Sequence, residues 1–205
     1  MTQPGYDALA DQYAAMFPEP YQTPFERHAV EAFTEVIRMP GSVVDVGCGP
    51  GHVTHDLASR GLDAIGCDPS AAMLALARNA YPQLRFIDDD ATLTHVDDPI
   101  AAILARFSLI HLPPDRVDAV LRSWASRLRP DTPVLIAVQS SDTPGPATPF
   151  DHAVAPAWRW PADELSRVLS SAGFDEDWRL INRPDGVHRF PGVHILAHRR
   201  FDHQG

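Results

Sequence analysis

The chain has 205 residues, 44 % of them hydrophobic and 21 % charged, a balance that suits one globular domain and excludes a disordered or fibrous chain. Its formal charge is −10, and its 17 basic residues are all arginine, scattered except for Arg199-Arg200; nucleic acid is therefore not an expected partner. No apolar run reaches the ~20 residues that span a bilayer, the first residues lack a secretion signal, and Cys48 and Cys67 cannot build a disulfide framework, so a cytoplasmic setting away from membranes is expected.

Residues 5–17 (GYDALADQYAAMF) read as a helix preceding a sheet, and residues 24–39 as a second helix. Strand candidates follow at 42–47, 62–68, 84–88, 100–106, 133–139, 177–183 and 192–200. Helix candidates at 52–60, 70–81, 114–128 and 162–172 alternate with them. The helix at 114 opens on Pro114 with Asp115 in its first turn, and the one ending at 172 is closed by Gly173. This alternation predicts an α/β fold with a doubly wound, seven-stranded, mostly parallel sheet. Several strands are apolar throughout, as expected when helices cover both faces. One stretch breaks the pattern. Residues 140–161 (SSDTPGPATPFDHAVAPAWRWP) are long and rich in proline, yet they carry Phe150, His152, Trp158 and Trp160, which argue for a working loop rather than a disordered one.

The sharpest motif is Val43-Val44-Asp45-Val46-Gly47-Cys48-Gly49-Pro50-Gly51, a buried strand running into a glycine-rich turn that opens a helix. Such a turn lets backbone approach a ligand closely, at the carboxyl edge of the sheet where ligands bind. A dinucleotide calls for G-x-G-x-x-G and a helix N-terminus ready for a pyrophosphate. Here the spacing is G-x-G-x-G, His52 takes the third glycine's place, and Asp45 brings a carboxylate to the turn. These features favour a cationic, phosphate-free nucleoside, S-adenosylmethionine. Asp68, 21 residues after Gly47 at the end of the second strand, can accept both ribose hydroxyls of either cofactor. Of Asp88, Asp89 and Asp90, only Asp90 is expected to meet adenine; the other two read as a solvated acidic loop, and the three have no metal-ligand spacing.

The segments DVGCGPG, CDPSAAM, FIDDDATL and ARFSLIHLPPDRVDAVLRSWASRLRP resemble the successive motifs of class I S-adenosylmethionine-dependent methyltransferases. The likeness runs from about Tyr6 to the C-terminus and is greatest to a bacterial small-molecule branch with an N-terminal YDxxAxxY segment and an SLIHxPP element. It implies that Gly47, Cys48, Gly49 and Gly51 hold the methionine portion and that Asp68, followed by Pro69, holds the ribose. Asp90 with the backbone of Ala91 would read adenine, and Tyr6 or Tyr13 would close over the cofactor carboxylate. Met73 would wall the adenine side or else pack the core. Two positions depart from the family pattern: Asp89 stands where glycine is common, and Asp131 replaces the first glycine of an RPGG turn. Residues 1–24 then form a cap over the cofactor and 140–161 an acceptor-side loop, both within a single domain spanning 1–205.

Methyl transfer from a sulfonium needs alignment above all, and a hydroxyl acceptor also needs a base. His111, after the fourth strand, matches the histidine base of similar O-methyltransferases; a capping or packing role is the alternative. His152 in the long loop is the second candidate, whereas His52 and His55 read as surface or packing residues. Trp158, Arg159 and Trp160 suit a polar acceptor such as a sugar, and Phe107 stands on the same side. Arg106 ends the fourth strand, where it can touch either cofactor or acceptor. Packing of the loop, or the contact of a homodimer, is the alternative for the WRW segment. The expected activity is O-methylation of a small polar molecule. An N-methyltransferase, an NAD-dependent oxidoreductase and a non-catalytic cofactor-binding module remain the alternatives.

Overall fold

The computed structural model describes residues 4–186 and 188–201; positions 1–3 of the expected cap and 202–205 of the expected domain lie outside them. In chain order the elements are α1 (Pro4–Met16), α2 (Pro24–Val36), β1 (Ser42–Val46), α3 (His52–Ser59), β2 (Ala64–Asp68), α4 (Ala71–Ala80), β3 (Arg85–Asp88) and β4 (Ile100–Arg106). A one-turn 3-10 helix (Leu109–His111), α5 (Pro114–Arg127), β5 (Pro133–Gln139), β6 (Thr148–Phe150), β7 (Ala157–Arg159), α6 (Ala162–Ala172), β8 (Phe174–Asn182) and β9 (Gly192–Arg199) complete the chain. Seven strands form one sheet in the order β3-β2-β1-β4-β5-β9-β8. The first five are parallel, and β9 runs antiparallel to both its neighbours. The chain therefore adopts the α/β, mostly parallel, doubly wound sheet that its alternation predicts. Strand order reverses between β1 and β4, which opens a crevice above their carboxyl ends.

Strand alternation divides the core. Val44, Val46, Ile103, Ala105, Val134, Ile136 and Ile195 face α5 and α6, where Val117, Leu121, Trp124, Leu165 and Leu169 meet them. Val43, Ala102, Leu104, Leu135 and Leu196 face the other way, onto Val30 and Phe33 of α2 and Leu57 of α3. Both faces are covered, so β1, β4 and β5 can be apolar at nearly every position.

The differences from the sequence reading lie mostly at ends, and each has a local cause. Helix α2 stops at Val36 rather than 39, with Ile37 extended (ψ 114°); Met39 precedes Pro40, a position that disfavours helix. Strand β8 starts at Phe174, three residues before the expected 177, because a register shift between Glu176 and Trp178 lets the polar Asp175-Glu176-Asp177 run join the ladder. Phe174 is fully buried, and this gives the early start its driving force. The 140–161 segment is not a plain loop. Its strands β6 and β7 pair as an antiparallel hairpin, with Thr148 opposite Arg159 and Phe150 opposite Ala157.

No helix lies between β3 and β4, and a knotted set of hydrogen bonds holds that segment instead. Asp89 is buried and accepts from the amides of Asp90 (2.9 Å) and His95 (2.7 Å) and from Thr94 Oγ1 (3.3 Å). From α5, Trp124 Nε1 donates to the Ala91 carbonyl (2.7 Å), and Arg127 donates to the Leu93 and Val96 carbonyls. The solvated reading of Asp89 is thus corrected: its carboxylate is the internal cap of a loop that would otherwise bury unpaired amides. Asp131 takes φ +68°, the left-handed conformation that the usual glycine adopts freely and that Asp tolerates better than most side chains.

Candidate functional site

The glycine turn closes β1 over β2. Gly47 and Cys48 both donate to the Cys67 carbonyl, at 2.7 and 3.0 Å. Three glycines have positive φ here, two of them crowded and one open. A Cβ on Gly47 (φ +71°) would meet Ser108 Cβ at 2.3 Å, and one on Gly51 (φ +85°) would meet the Phe86 ring at 2.8 Å. Gly49 (φ +52°) has nothing within 4 Å of a Cβ; it faces open space, and its amide donates to Asp68 Oδ2 at 2.9 Å. Asp68 Oδ1 accepts from the Ser70 amide at 2.8 Å. Burial pushes the Asp68 carboxyl up against these two amide donors. A bare backbone bulge beside a backbone-braced carboxylate is a cradle that a side chain would fill. Both residues fit a nucleoside whose ribose hydroxyls donate to Asp68.

Asp45 is placed differently from the sequence expectation of a carboxylate at the ligand. It lies beneath the turn, 3 % exposed, where it accepts from Thr54 Oγ1 of α3 at 2.7 Å. Burial raises its pKa to about 6 despite that bond. Its alternation on a strand covered on both faces points it into the structure, so it acts on the turn through Thr54. Cys48 and Cys67 are free and buried, with burial raising both thiols. Met73 is fully buried on α4, as a packing residue is. Pro69 joins Asp68 to Ser70, whose hydroxyl caps α4 by accepting from the Met73 amide at 3.2 Å.

Helix α1 lies against α4. Asp7 accepts from Ser70 Oγ (2.7 Å) and the Ala72 amide (3.2 Å) at the α4 N-terminus, and the Ser70 bond holds its carboxyl below the usual range. Tyr6 and Tyr13 pack edge to face at 5.6 Å, and burial raises both phenols, with the Asp68 charge adding to it. Tyr6 reaches across the crevice: its hydroxyl lies 2.8 Å from His111 Nε2. His111 Nδ1 lies 3.0 Å from the Pro156 carbonyl. A carbonyl only accepts, so Nδ1 carries the proton and Nε2 accepts from Tyr6. Burial lowers the His111 pKa to about 4, and neighbouring His152 adds to the shift. The His152 ring stands edge to face with His111 at 4.9 Å and with Phe150 at 5.9 Å, and burial lowers its pKa as well. The hairpin thus brings together both candidate bases, more than 40 residues apart in the chain.

Asp90 and Ala91, the residues expected to meet adenine, border a shallow pocket with Leu112, Arg116 and Val120. The Asp90 carboxylate accepts from the amide and hydroxyl of Thr92, and these bonds hold it low against the opposing effect of burial. Arg106 keeps its charge within reach of Asp45 and Tyr13. It donates to Glu26 Oε2 (2.7 Å) and the Pro20 carbonyl (3.1 Å), because it shares a strand face with Leu104 and lies under α2. Of the WRW segment, Trp160 is 1 % exposed and packs the loop, Trp158 is half-buried against the core, and Arg159 lies 4.3 Å over the Phe190 ring. His52 and His55 hold Tyr81, by a 2.8 Å hydrogen bond and by 4.4 Å stacking, a packing role as expected. The sequence reading passed over Glu26, Ser108, Gln139 and His194. For Ser108, Gln139 and His194 the one signal is a polar residue within, or just after, an otherwise apolar run; Glu26, followed by Arg27 and His28, carries none.

The model of a methyltransferase domain matches residues 43–131, from the glycine turn through α5. Trans-aconitate 2-methyltransferase of Rhodopseudomonas palustris is 33 % identical over 68 % of this chain and 47 % of its own length; that of Variovorax paradoxus is 37 % identical over 64 % and 52 %. The chain belongs to the class I S-adenosylmethionine-dependent methyltransferase family. It spans about half the length of those two relatives. A structure of Burkholderia thailandensis 1,6-didemethyltoxoflavin-N1-methyltransferase, with 1,6-didemethyltoxoflavin and S-adenosylhomocysteine bound, shares the fold. It aligns with a TM-score of 0.72 at 20 % identity, over 98 % of this chain and 92 % of that one. S-adenosylmethionine is the methyl donor of the family, and the open Gly49 beside Asp68 suits it. Among the described residues, no helix is long and apolar enough to cross a membrane.

Proposed function

We propose that this chain transfers a methyl group from S-adenosylmethionine to a hydroxyl of a small polar molecule, a sugar among the candidates, with His111 as general base. The donor supplies a methyl already activated on a sulfonium, so the protein's work is alignment and proton removal. The glycine turn and Asp68 hold the nucleoside and methionine portions, Asp90 and Ala91 flank adenine, and the described part of the expected cap, residues 4–24, covers the cleft through Tyr6 and Tyr13. The hairpin at 140–161 carries His152, Trp158 and Arg159 to the acceptor side.

One observation carries this reading. His111 is held in the tautomer that leaves Nε2 as an acceptor, and a hydroxyl, that of Tyr6, occupies it at 2.8 Å. An acceptor hydroxyl in place of Tyr6 would present its proton to the same lone pair. With a pKa of about 4 the imidazole stays neutral at physiological pH. A weak base suffices here, because the acceptor oxygen becomes strongly acidic as the methyl bonds to it. His152, edge to face with His111, orients that ring and borders the acceptor.

The test is isotopically labelled methyl transfer to a panel of hydroxylated metabolites, with S-adenosylhomocysteine affinity as control. His111→Ala should lower kcat by about 10²–10⁴-fold on a hydroxyl acceptor while leaving S-adenosylhomocysteine binding unchanged. Unchanged kcat would point to an amine or carboxylate acceptor, which needs no base, and would refute the hydroxyl assignment.

A further inference from the structure

Ten buried side-chain nitrogen and oxygen atoms of the described residues lack a hydrogen-bond partner. Seven of them belong to Arg106, Ser108, Gln139, Arg159, Trp160 and His194. These residues share one edge of the fold. Arg106 ends β4 with Ser108 two residues beyond it, Gln139 ends β5, and His194 pairs with Ala137 near the start of antiparallel β9. Trp160, next to Arg159, is bridged to Ser140 just beyond β5. Native interiors leave few polar atoms unpaired, and so many at one edge point to a partner that is a ligand.

His194 is the clearest case. It is 1 % exposed, and neither ring nitrogen has a partner. Its ring stands edge to face with Phe107 at 5.9 Å, and Phe107 has φ +53°, a conformation that costs a non-glycine residue about 1–3 kcal/mol. The carboxylates at this edge are already spent on partners of their own. Glu26 is already engaged by Arg106, by the Gln22 amide and by His188 Nε2 at 3.0 Å. Arg159 rests on Phe190 and forms no ion pair among the described residues; the nearby Asp151 carboxylate, whose pKa Arg159 helps lower, is paired with Arg189 at 2.8 Å. The guanidinium of Arg159 and the two nitrogens of His194 are thus among the donors at this edge that no described carboxylate takes up by a hydrogen bond. Arg106 and Ser108 are at most about 7 Å apart along the backbone, and Ser108 touches the cofactor turn at Gly47, so a compound of a few carbons spans the distance.

We propose that this edge is an anchoring subsite in which His194 and Arg159, with Arg106 behind them, take a carboxylate of the acceptor. The proposal rests on the methyl-transfer reading only in calling the ligand the acceptor. The imidazole N–H and the guanidinium fork both donate, which suits the paired oxygens of a carboxylate. Glu26 holds Arg106 in place as a positioning residue.

Protein saturated with S-adenosylhomocysteine is titrated calorimetrically with succinate, trans-aconitate, succinamide and inorganic phosphate. We expect saturable binding of the two acids, none of succinamide, and at least tenfold weaker binding of phosphate. His194→Phe and, independently, Arg159→Leu should each weaken the acids at least tenfold and leave S-adenosylhomocysteine affinity unchanged. His194→Phe should not lower Tm, since it removes two unpaired buried nitrogens. His194→Gln, which keeps a donor, should retain part of the affinity. The proposal is overturned if neither acid binds, if phosphate binds as well as they do, or if both variants bind them like the parent. Failure of S-adenosylhomocysteine itself to bind would strike the methyltransferase reading instead, and the acids are then scored on the protein alone.

Discussion

Replacing Gly47 with alanine tests how the cofactor turn is built. The new Cβ would sit 2.3 Å from Ser108 Cβ, far inside contact distance, at a residue with φ +71°. The left-handed conformation costs alanine about 1–2 kcal/mol. Crowding against a residue fixed by its own backbone adds about 1–3 kcal/mol. Together that is a large share of the ~5–15 kcal/mol that holds a domain folded. In a chain of this length each kcal/mol moves Tm by roughly 2–4 °C, so a fall of about 4–20 °C is expected. Gly61 provides the control: its φ is +84° and nothing lies within 4 Å of a Cβ, so Gly61→Ala isolates the backbone contribution. Calorimetric melting of both variants, and of Gly47→Ala combined with Ser108→Gly, separates crowding from backbone strain. The double variant should recover the crowding part. Should Gly47→Ala melt together with Gly61→Ala, and Ser108→Gly restore nothing, the close approach of β4 to the turn is not what demands glycine there.

Three further outcomes follow from the same geometry. Asp68→Asn removes a charged acceptor that faces two amides and, in the proposed site, the ribose, and should weaken S-adenosylhomocysteine by about 10–100-fold in a calorimetric titration; an unaltered Kd would exclude Asp68 from the nucleoside site. Thr54→Val strips the Asp45 carboxylate of its hydroxyl donor and should destabilise by about 1–3 kcal/mol at neutral pH, and by less below the Asp45 pKa of about 6; urea midpoints at two pH values decide it. The histidines set the acid limb of stability. His111 and His194 fall from 6.5 to about 4 and about 3, so the unfolded chain binds more protons than the folded one across that window, and stability drops as pH falls through it. Asp45, raised from 3.8 to about 6, runs the opposite way, its contribution fading as pH rises through 6. His194→Phe should therefore flatten the loss of stability on acidification, and parallel curves for variant and parent would contradict the buried, neutral state of this ring.

Physical periodicity explains which elements were legible. Strands β4 and β5 could be bounded to the residue, since an apolar run flanked by turn residues is itself the signal of a doubly covered strand. Strand β8 was half hidden, because its first residues are acidic and its register shifts. The pairing of His111 with Tyr6 and His152 could not be inferred from spacing, as each partner comes from a different segment and is placed by how α1 and the hairpin pack. The orientation of Arg106 and Asp45 was hidden for a related reason. Both are strand residues whose motif position marks the edge of the site, while alternation turns their heads toward α2 and α3.

By itself the amino-acid sequence determined the sheet architecture, the glycine turn and the family, because these follow from local patterns: apolar period, turn chemistry, and a carboxylate at the end of a strand. Only the tertiary structure decided which polar groups are spent on one another and which are left over. Asp89 is consumed within its loop and Glu26 by Arg106, whereas His194 and Arg159 keep donors unpaired beside the crevice. A hydrogen bond is a statement about two groups within 3.5 Å, and that proximity is set by packing between segments far apart in the chain.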